Sequence, residues 1–186
     1  MNHSRKLTLL ELALLGLIHL RPQSGYDLRK QFATTPIGRF SGSPGAVYPA
    51  LKRLRTQGLV QASVDSTHPL RPREVFRLTP AGDEALEEWV TRQPTREEVL
   101  YAADELMLRF AFMPGLCSRA HTVRFLEIVA DESDRYAEEL DLVASEIADD
   151  RAPHGSLAVQ HGAEAYRTRA RWARQATKRF QSRSKS

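Results

Sequence analysis

Cysteine occurs once in the 186 residues, at Cys117. No intrachain disulfide can form, and nothing ties the fold to an oxidising compartment. Long apolar runs are also missing. A membrane span needs about 20 such residues, and the richest segment, Leu7 to Leu20, is interrupted by Glu11 and His19. That segment has a charge inside it and no small-residue cleavage site, so it does not read as a signal sequence. A soluble cytoplasmic protein with no membrane partner is expected. The six histidines (His3, His19, His68, His121, His154 and His161) show no metal-ligand spacing. The sequence holds no glycine-rich phosphate loop, no nucleophile elbow and no paired catalytic carboxylates. Neither an enzyme nor a cofactor or metal is expected.

One further scarcity is local. No carboxylate occurs between Asp27 and Asp65. Residues 1–80 hold 12 Lys/Arg against 4 Asp/Glu, residues 81–150 hold 6 against 18, and residues 151–186 hold 9 against 1. The net charge of +4 therefore hides a split of +8, −12 and +8. By charge, the N-terminal part suits a polyanion. The basic C-terminal part either makes a second contact or neutralises the acidic middle.

Within the acid-free stretch, residues 43–58 read as one helix. Ser43 is placed as its N-cap, Pro44 fits the first helical position, and Gly58 sits where a left-handed residue closes a helix. Val47, Ala50, Leu51 and Leu54 share one face. Gly45, Tyr48, Pro49, Lys52, Arg53 and Thr56 share the other, which is small at its start and basic towards its end. Such a helix suits a major groove or, equally, is an amphipathic helix with a solvated basic face. Pro49 removes a bond to the Gly45 carbonyl, so strain or a bend is expected there.

Thr8 and Glu11 have capping-box spacing and start a first, very apolar helix. Ser24 and Asp27 repeat the cap before a second helix. Thr35 to Gly42 reads as turns. Leu59–Val64 and Glu74–Leu78 read as two strands, joined by a proline-containing basic loop at 65–73. A helix trio followed by such a ribbon is the winged helix-turn-helix arrangement. Beyond Thr79-Pro80 only helices are expected. They include one behind the Thr95/Glu98 capping box that carries Val99 to Phe112, a long one from Ser118 to about Asp149, and a last one over roughly 159–181. Tyr136, Leu140, Val143 and Ile147 form a heptad seam under three repeats long.

Five blocks resemble the PadR family of transcriptional regulators. They are Leu9-Leu10-Glu11-Leu12-Ala13-Leu14-Leu15-Gly16-Leu17-Ile18, Ser24-Gly25-Tyr26-Asp27-Leu28, Gly45-Ala46-Val47-Tyr48-Pro49-Ala50-Leu51-Lys52-Arg53-Leu54, Gly58-Leu59-Val60, and Arg71-Pro72-Arg73-Glu74-Val75-Phe76-Arg77-Leu78-Thr79-Pro80-Ala81-Gly82. The Tyr-Pro pair inside a helix is the most telling piece. Glu105-Leu106-Met107-Leu108-Arg109-Phe110 and the tryptophan of the last helix are similar to the helical C-terminal domain of longer members. The 65–73 wing departs from the family in length and proline content.

The resemblance implies a mainly α protein with a winged helix-turn-helix N-terminal domain (1–93, with a two-stranded wing) and an all-helical dimerisation domain (94–186). It implies a homodimeric repressor of a double-stranded DNA operator, released by a small molecule or other signal. Ser43, Gly45, Ala46, Tyr48, Pro49, Lys52 and Arg53 then face DNA, with Arg71 and Arg73 from the wing. Tyr26 and Lys6 reach backbone phosphate, although Tyr26 suits a packing role at least as well, Tyr48 has packing against the second helix as its alternative, and Arg71 and Arg73 have that of a solvated charge pair. Leu126, Tyr136, Leu140, Val143, Ile147, Tyr166 and Trp172 are candidates for dimerisation. Trp89, Phe110, Phe112, Tyr136, Tyr166 and Trp172 suit either a pocket for a small aromatic or apolar effector or a core or dimer interface. A protein-interaction module, with the acidic middle as its working surface, is the alternative from another class.

Overall fold

Thr8 opens the first helix as its spacing with Glu11 requires. Its hydroxyl accepts from the Glu11 N–H, and the Glu11 carboxylate accepts from the Thr8 N–H. The structure is a computed structural model and describes residues 6–41, 43–65, 73–149 and 151–182. Two compact units are present, Met1–Trp89 and Val90–Ser186.

In the first unit, α1 (Leu9–Leu20) is followed by a two-residue strand β1 (Gln23–Ser24), α2 (Gly25–Thr34), a 3-10 turn (Pro36–Phe40), a second 3-10 turn (Pro44–Ala46) and α3 (Val47–Thr56). Strands β2 (Val60–Asp65) and β3 (Arg73–Leu78) form the ribbon, and α4 (Pro80–Thr91) closes the series. α1 is apolar on nearly every side because it is the centre of the unit. Ala13, Leu14, Leu15 and Ile18 are buried there with Leu28 and Phe32 of α2, Val47, Ala50, Leu51 and Leu54 of α3, Phe76 of β3 and Leu86 of α4. Each such large side chain contributes roughly 1.5–3 kcal/mol on burial.

The sheet has three strands in the order β1-β3-β2, all antiparallel. β2 and β3 pair from Val60–Leu78 to Asp65–Arg73. The extra strand pairs Gln23 with Phe76 and Ser24 with Val75, which anchors the ribbon to the start of α2. α3 ends in a full glycine cap. Gly58 has φ +71°, its N–H donates to Arg55, and the Leu59 N–H donates to Leu54.

Among its described residues the second unit has helices and no strand. It contains α5 (Arg96–Tyr101), α6 (Ala103–Ala111), α7 (Arg119–Glu146) and α8 (His154–Ser182). The single helix expected over Val99–Phe112 is broken at Ala102. The break frees carbonyls that α8 then satisfies: Tyr166 donates to Leu100 O at 2.7 Å and Arg169 to Val99 O at 2.6 Å. α8 begins at His154, earlier than expected, because Pro153 precedes the helix and its carbonyl accepts the Leu157 N–H at 3.0 Å.

α7 and α8 form an antiparallel hairpin along a small-residue seam. Ala130, Ala137 and Ala144 step by seven on α7, and Ser156, Ala163, Ala170 and Thr177 do so on α8; all are buried. This is heptad packing, but between two helices of one chain. The buried small residues of this hairpin are not the positions that the sequence assigned to dimerisation. Leu126 is fully buried in its own chain, so it is corrected from an interface residue to a core residue. Tyr136, Leu140 and Tyr166 are half-buried, whereas Val143, Ile147 and Trp172 keep exposed surface.

Candidate nucleic-acid interface

The third helix begins differently from its sequence reading. Pro44–Ala46 winds as a 3-10 turn, and the α-helix starts at Val47 with Ala46 as N-cap. Ser43 makes no side-chain cap; its carbonyl accepts the Ala46 N–H at 3.0 Å instead. Pro49 therefore sits at the third helical position. Helix N–H groups in the first turn have no intrahelical acceptor, so the missing donor costs nothing and the expected strain is absent.

The two faces separate cleanly. Val47, Ala50, Leu51 and Leu54 are each at most 1% exposed. Ser43, Gly45, Tyr48, Pro49, Lys52 and Arg53 are exposed and Ala46 is half-buried. Among the described residues Lys52 has no ion-pair partner. Arg53 does have one: its Nε donates to Glu11 Oε1 at 2.7 Å. Arg55 pairs with Glu74 of the ribbon at 3.0 Å.

Tyr48 stands beside a groove of about 430 Å³ lined by Ser24, Gly25, Tyr26, Tyr48, Arg73, Glu74 and Phe76. Ser24 caps α2 there through the Asp27 N–H at 3.1 Å. Tyr26 is 57% exposed, which removes the packing alternative for its ring; Arg29 stacks over it at 5.8 Å. The groove thus joins three of the sequence candidates, Tyr26, Tyr48 and Arg73. Lys6 is exposed just ahead of α1, and Arg71 lies outside the described residues. Sequence reasoning missed Gly25 as part of this groove and Glu11 as the buried partner of Arg53 beneath the exposed face. The capping-box motif marked Glu11 as a helix start but gave no sign of its second partner.

The electrostatics of the other unit differ. Arg167 and Arg174 of α8 pair with Asp141 and Asp134 of α7. Arg96 of α5 pairs with both Glu132 and Glu139, whose hydrogen bonds raise its pKa. Between the two readings of the C-terminal basic stretch, these pairs favour neutralisation of the acidic middle. Arg109 is fully buried, with Glu98 at 3.4 Å and the Phe125 ring at 5.5 Å; burial lowers its pKa.

An aromatic cluster in this unit borders two adjoining hollows. Phe110 meets Trp172 edge-on at 5.6 Å and Phe180 at 6.2 Å. One hollow, of about 480 Å³, is lined by Phe110, Met113, Cys117, Arg119, Thr122 and Phe180 among others. The other, of about 570 Å³, includes Trp172, Arg179 and Phe180. Of the expected effector aromatics, Phe110 and Trp172 come together here. Phe112 is in the core, and Tyr136 and Tyr166 pair separately at 4.8 Å. Trp89 belongs to the first unit. Among the described residues no group of His, Cys, Asp and Glu could hold a metal, and no helix is long and apolar enough to cross a membrane.

A helix trio, a β-ribbon and an exposed, acid-free outer face on the third helix define a winged helix-turn-helix domain. The family model of the transcriptional regulator PadR-like family matches residues 14–88, which fall within this domain. The chain is similar to the Negative transcriptional regulator PadR of Bacillus subtilis (strain 168), 32% identical over 109 residues. That match spans 58% of each protein, less than two thirds of the relative's length. Among solved structures it is similar to Bacillus subtilis PadR in complex with operator DNA (22% identity, TM-score 0.41, 92% of this chain and 98% of that one). It is also similar to the PadR-like transcriptional regulator BC1756 from Bacillus cereus (19%, TM-score 0.43, 96% and 99%).

Proposed function

We propose that the chain is a homodimeric repressor that reads a DNA operator with α3. The observation that carries this reading is the division of α3 into a wholly buried apolar face and an exposed face bearing Tyr48 and Lys52. The phenol suits a phosphate or a base methyl, and the ammonium suits phosphate or guanine. Gly45 and Ala46 leave room at the helix start for close backbone approach, with Pro49 and Ser43 beside them. Arg73 and Tyr26 flank the duplex from the groove, Lys6 and Arg71 supply outer phosphate contacts, and Arg53 adds a cation to the face.

Residues 1–93 hold the operator and residues 94–186 pair the protomers. Val143, Ile147 and Trp172 supply the exposed apolar surface for pairing, with Tyr136, Leu140 and Tyr166 half-buried behind them. A dimer places its two reading helices about 34 Å apart, or a multiple of that spacing. Negative regulation is supported by the similarity to the Bacillus subtilis negative regulator. A small aromatic or apolar effector fits the hollows at Phe110 and Phe180, where Arg119 and Arg179 offer charge to an acidic substituent.

Fluorescence anisotropy on duplex DNA from the gene's own upstream region tests the reading. Affinity should fall steeply with salt. Tyr48→Ala and Lys52→Ala should each weaken binding about tenfold while the fold persists, in line with roughly 1–3 kcal/mol for a good contact. Salt-insensitive binding, or two silent variants, excludes α3 as the reading element.

A further inference from the structure

Glu11 is an unusual residue to find where it is. It lies inside the apolar sequence of α1 and is fully buried, while its neighbours Leu10, Leu12, Ala13 and Leu14 are core residues. A buried carboxylate is costly unless it is well paired, and an apolar side chain of similar size often serves stability as well or better. Glu11 is paired on both oxygens. Oε2 accepts from the Thr8 N–H at 2.9 Å and the Thr8 hydroxyl at 3.0 Å. Oε1 accepts from Arg53 Nε at 2.7 Å, 42 residues along the chain.

Arg53 is the telling partner. It is not a core group: 44% of its side chain is exposed, and it follows Lys52 on the reading helix. The carboxylate takes the Nε–H, whereas a guanidinium carries four more N–H donors on its two Nη atoms in a rigid fork. Holding the fork by its inner nitrogen fixes the direction of its outer edge. Fixing that edge in the free protein removes ordering that would otherwise accompany binding.

We propose that Glu11 is a positioning residue for operator binding: it orients Arg53 by Nε so that the guanidinium meets a backbone phosphate of the duplex. Through Thr8, the same carboxylate ties this contact to the point where the chain enters α1. The inference rests on α3 being the reading helix.

The test is a double-mutant cycle in the full-length protein with Glu11→Gln, Arg53→Lys and the double variant. Operator affinity is measured by anisotropy across a salt series, with folding checked by circular dichroism and melting. Glutamine keeps the capping-box geometry but loses the charge. Lysine keeps the charge beside Glu11 but has no fork. Each single variant should lose about tenfold in affinity, the double variant should lose no more than Arg53→Lys alone, and the coupling should be well above the scatter of independent sites. The slope of log affinity against log salt should fall by about one in each. Unchanged affinity and slope in Glu11→Gln, with an earlier melt, would make the pair merely structural and overturn the proposal. Losses that multiply in the double variant do the same. If Glu11→Gln does not fold, Arg53→Lys alone decides: wild-type affinity and slope overturn the proposal. Wild-type protein that shows no salt-sensitive DNA binding overturns the function itself; wild-type binding with silent Glu11 and Arg53 variants overturns only this inference.

Discussion

The ring of Tyr48 lies against Gly25, the first residue of α2, so closely that a Cβ there would come within 2.8 Å of Tyr48 Cε1. The glycine is not needed for an unusual backbone angle; it leaves room for a ring. Gly25→Ala should therefore move Tyr48 and little else, because the ring is the free end of a flexible side chain and alanine favours the helix. Operator affinity should fall several-fold while stability stays within about 1 kcal/mol of wild type. Anisotropy beside urea unfolding separates the two.

Gly82 presents the opposite case. A Cβ at this position would sit 2.0 Å from the Leu59 carbonyl oxygen, which already accepts the Thr79 N–H at 3.1 Å. The obstacle is backbone at the join between β2 and α4, so it cannot swing aside. Gly82→Ala should destabilise the protein by about 1–3 kcal/mol, as overpacked sites do. The measurement is the urea midpoint, with DNA affinity of the folded fraction retained.

What could be read from the sequence was what neighbours in the chain decide. The Thr8/Glu11 and Thr95/Glu98 caps and the buried face of α3 follow from spacing over three to seven residues. What could not be read depends on distant partners. The break at Ala102 is stabilised by Tyr166 and Arg169, which lie 66 and 70 residues from the carbonyls they satisfy. Spacing alone makes Arg53 one more cation on the exposed face of α3, and only the fold places Glu11 beneath it. The α7–α8 contact was not legible because large side chains, not alanines, stand out in a sequence. The helices instead meet at alanines, and Val143 and Ile147 remain exposed.

Arg109 tests how the second unit tolerates a buried charge. Its Nη1 faces Glu98, its Nη2 donates to the Arg92 carbonyl, and Phe125 covers its plane. Arg109→Ala should cost about 3–5 kcal/mol, since it opens a cavity and breaks a buried pair. Arg109→Met should recover the packing part of that cost and not the part due to the broken pair, because it refills the cavity while Glu98 keeps only Arg92 as a partner. Chemical denaturation of both variants is the check. A methionine variant as unstable as the alanine one would mean that the hydrogen bonds to Glu98 and the Arg92 carbonyl, rather than packing, hold the unit together.

The charge split raises a last question, whether the basic α8 touches DNA. Arg174 sits on Asp134 of α7, and Arg167 sits on both Asp141 and Glu164. An arginine committed to a carboxylate would have to give up that pair to reach a phosphate. Exposed pairs are weak, contributing at most about 1 kcal/mol, so the commitment shows in binding more than in stability. Arg174→Ala should leave operator affinity and its salt slope unchanged and should melt only slightly earlier than wild type. Lys52→Ala, measured in the same series, should lose affinity and reduce the slope by about one. If Arg174→Ala reduces the slope as Lys52→Ala does, then α8 lies on the duplex and its pairing with α7 is exchanged for phosphate on binding.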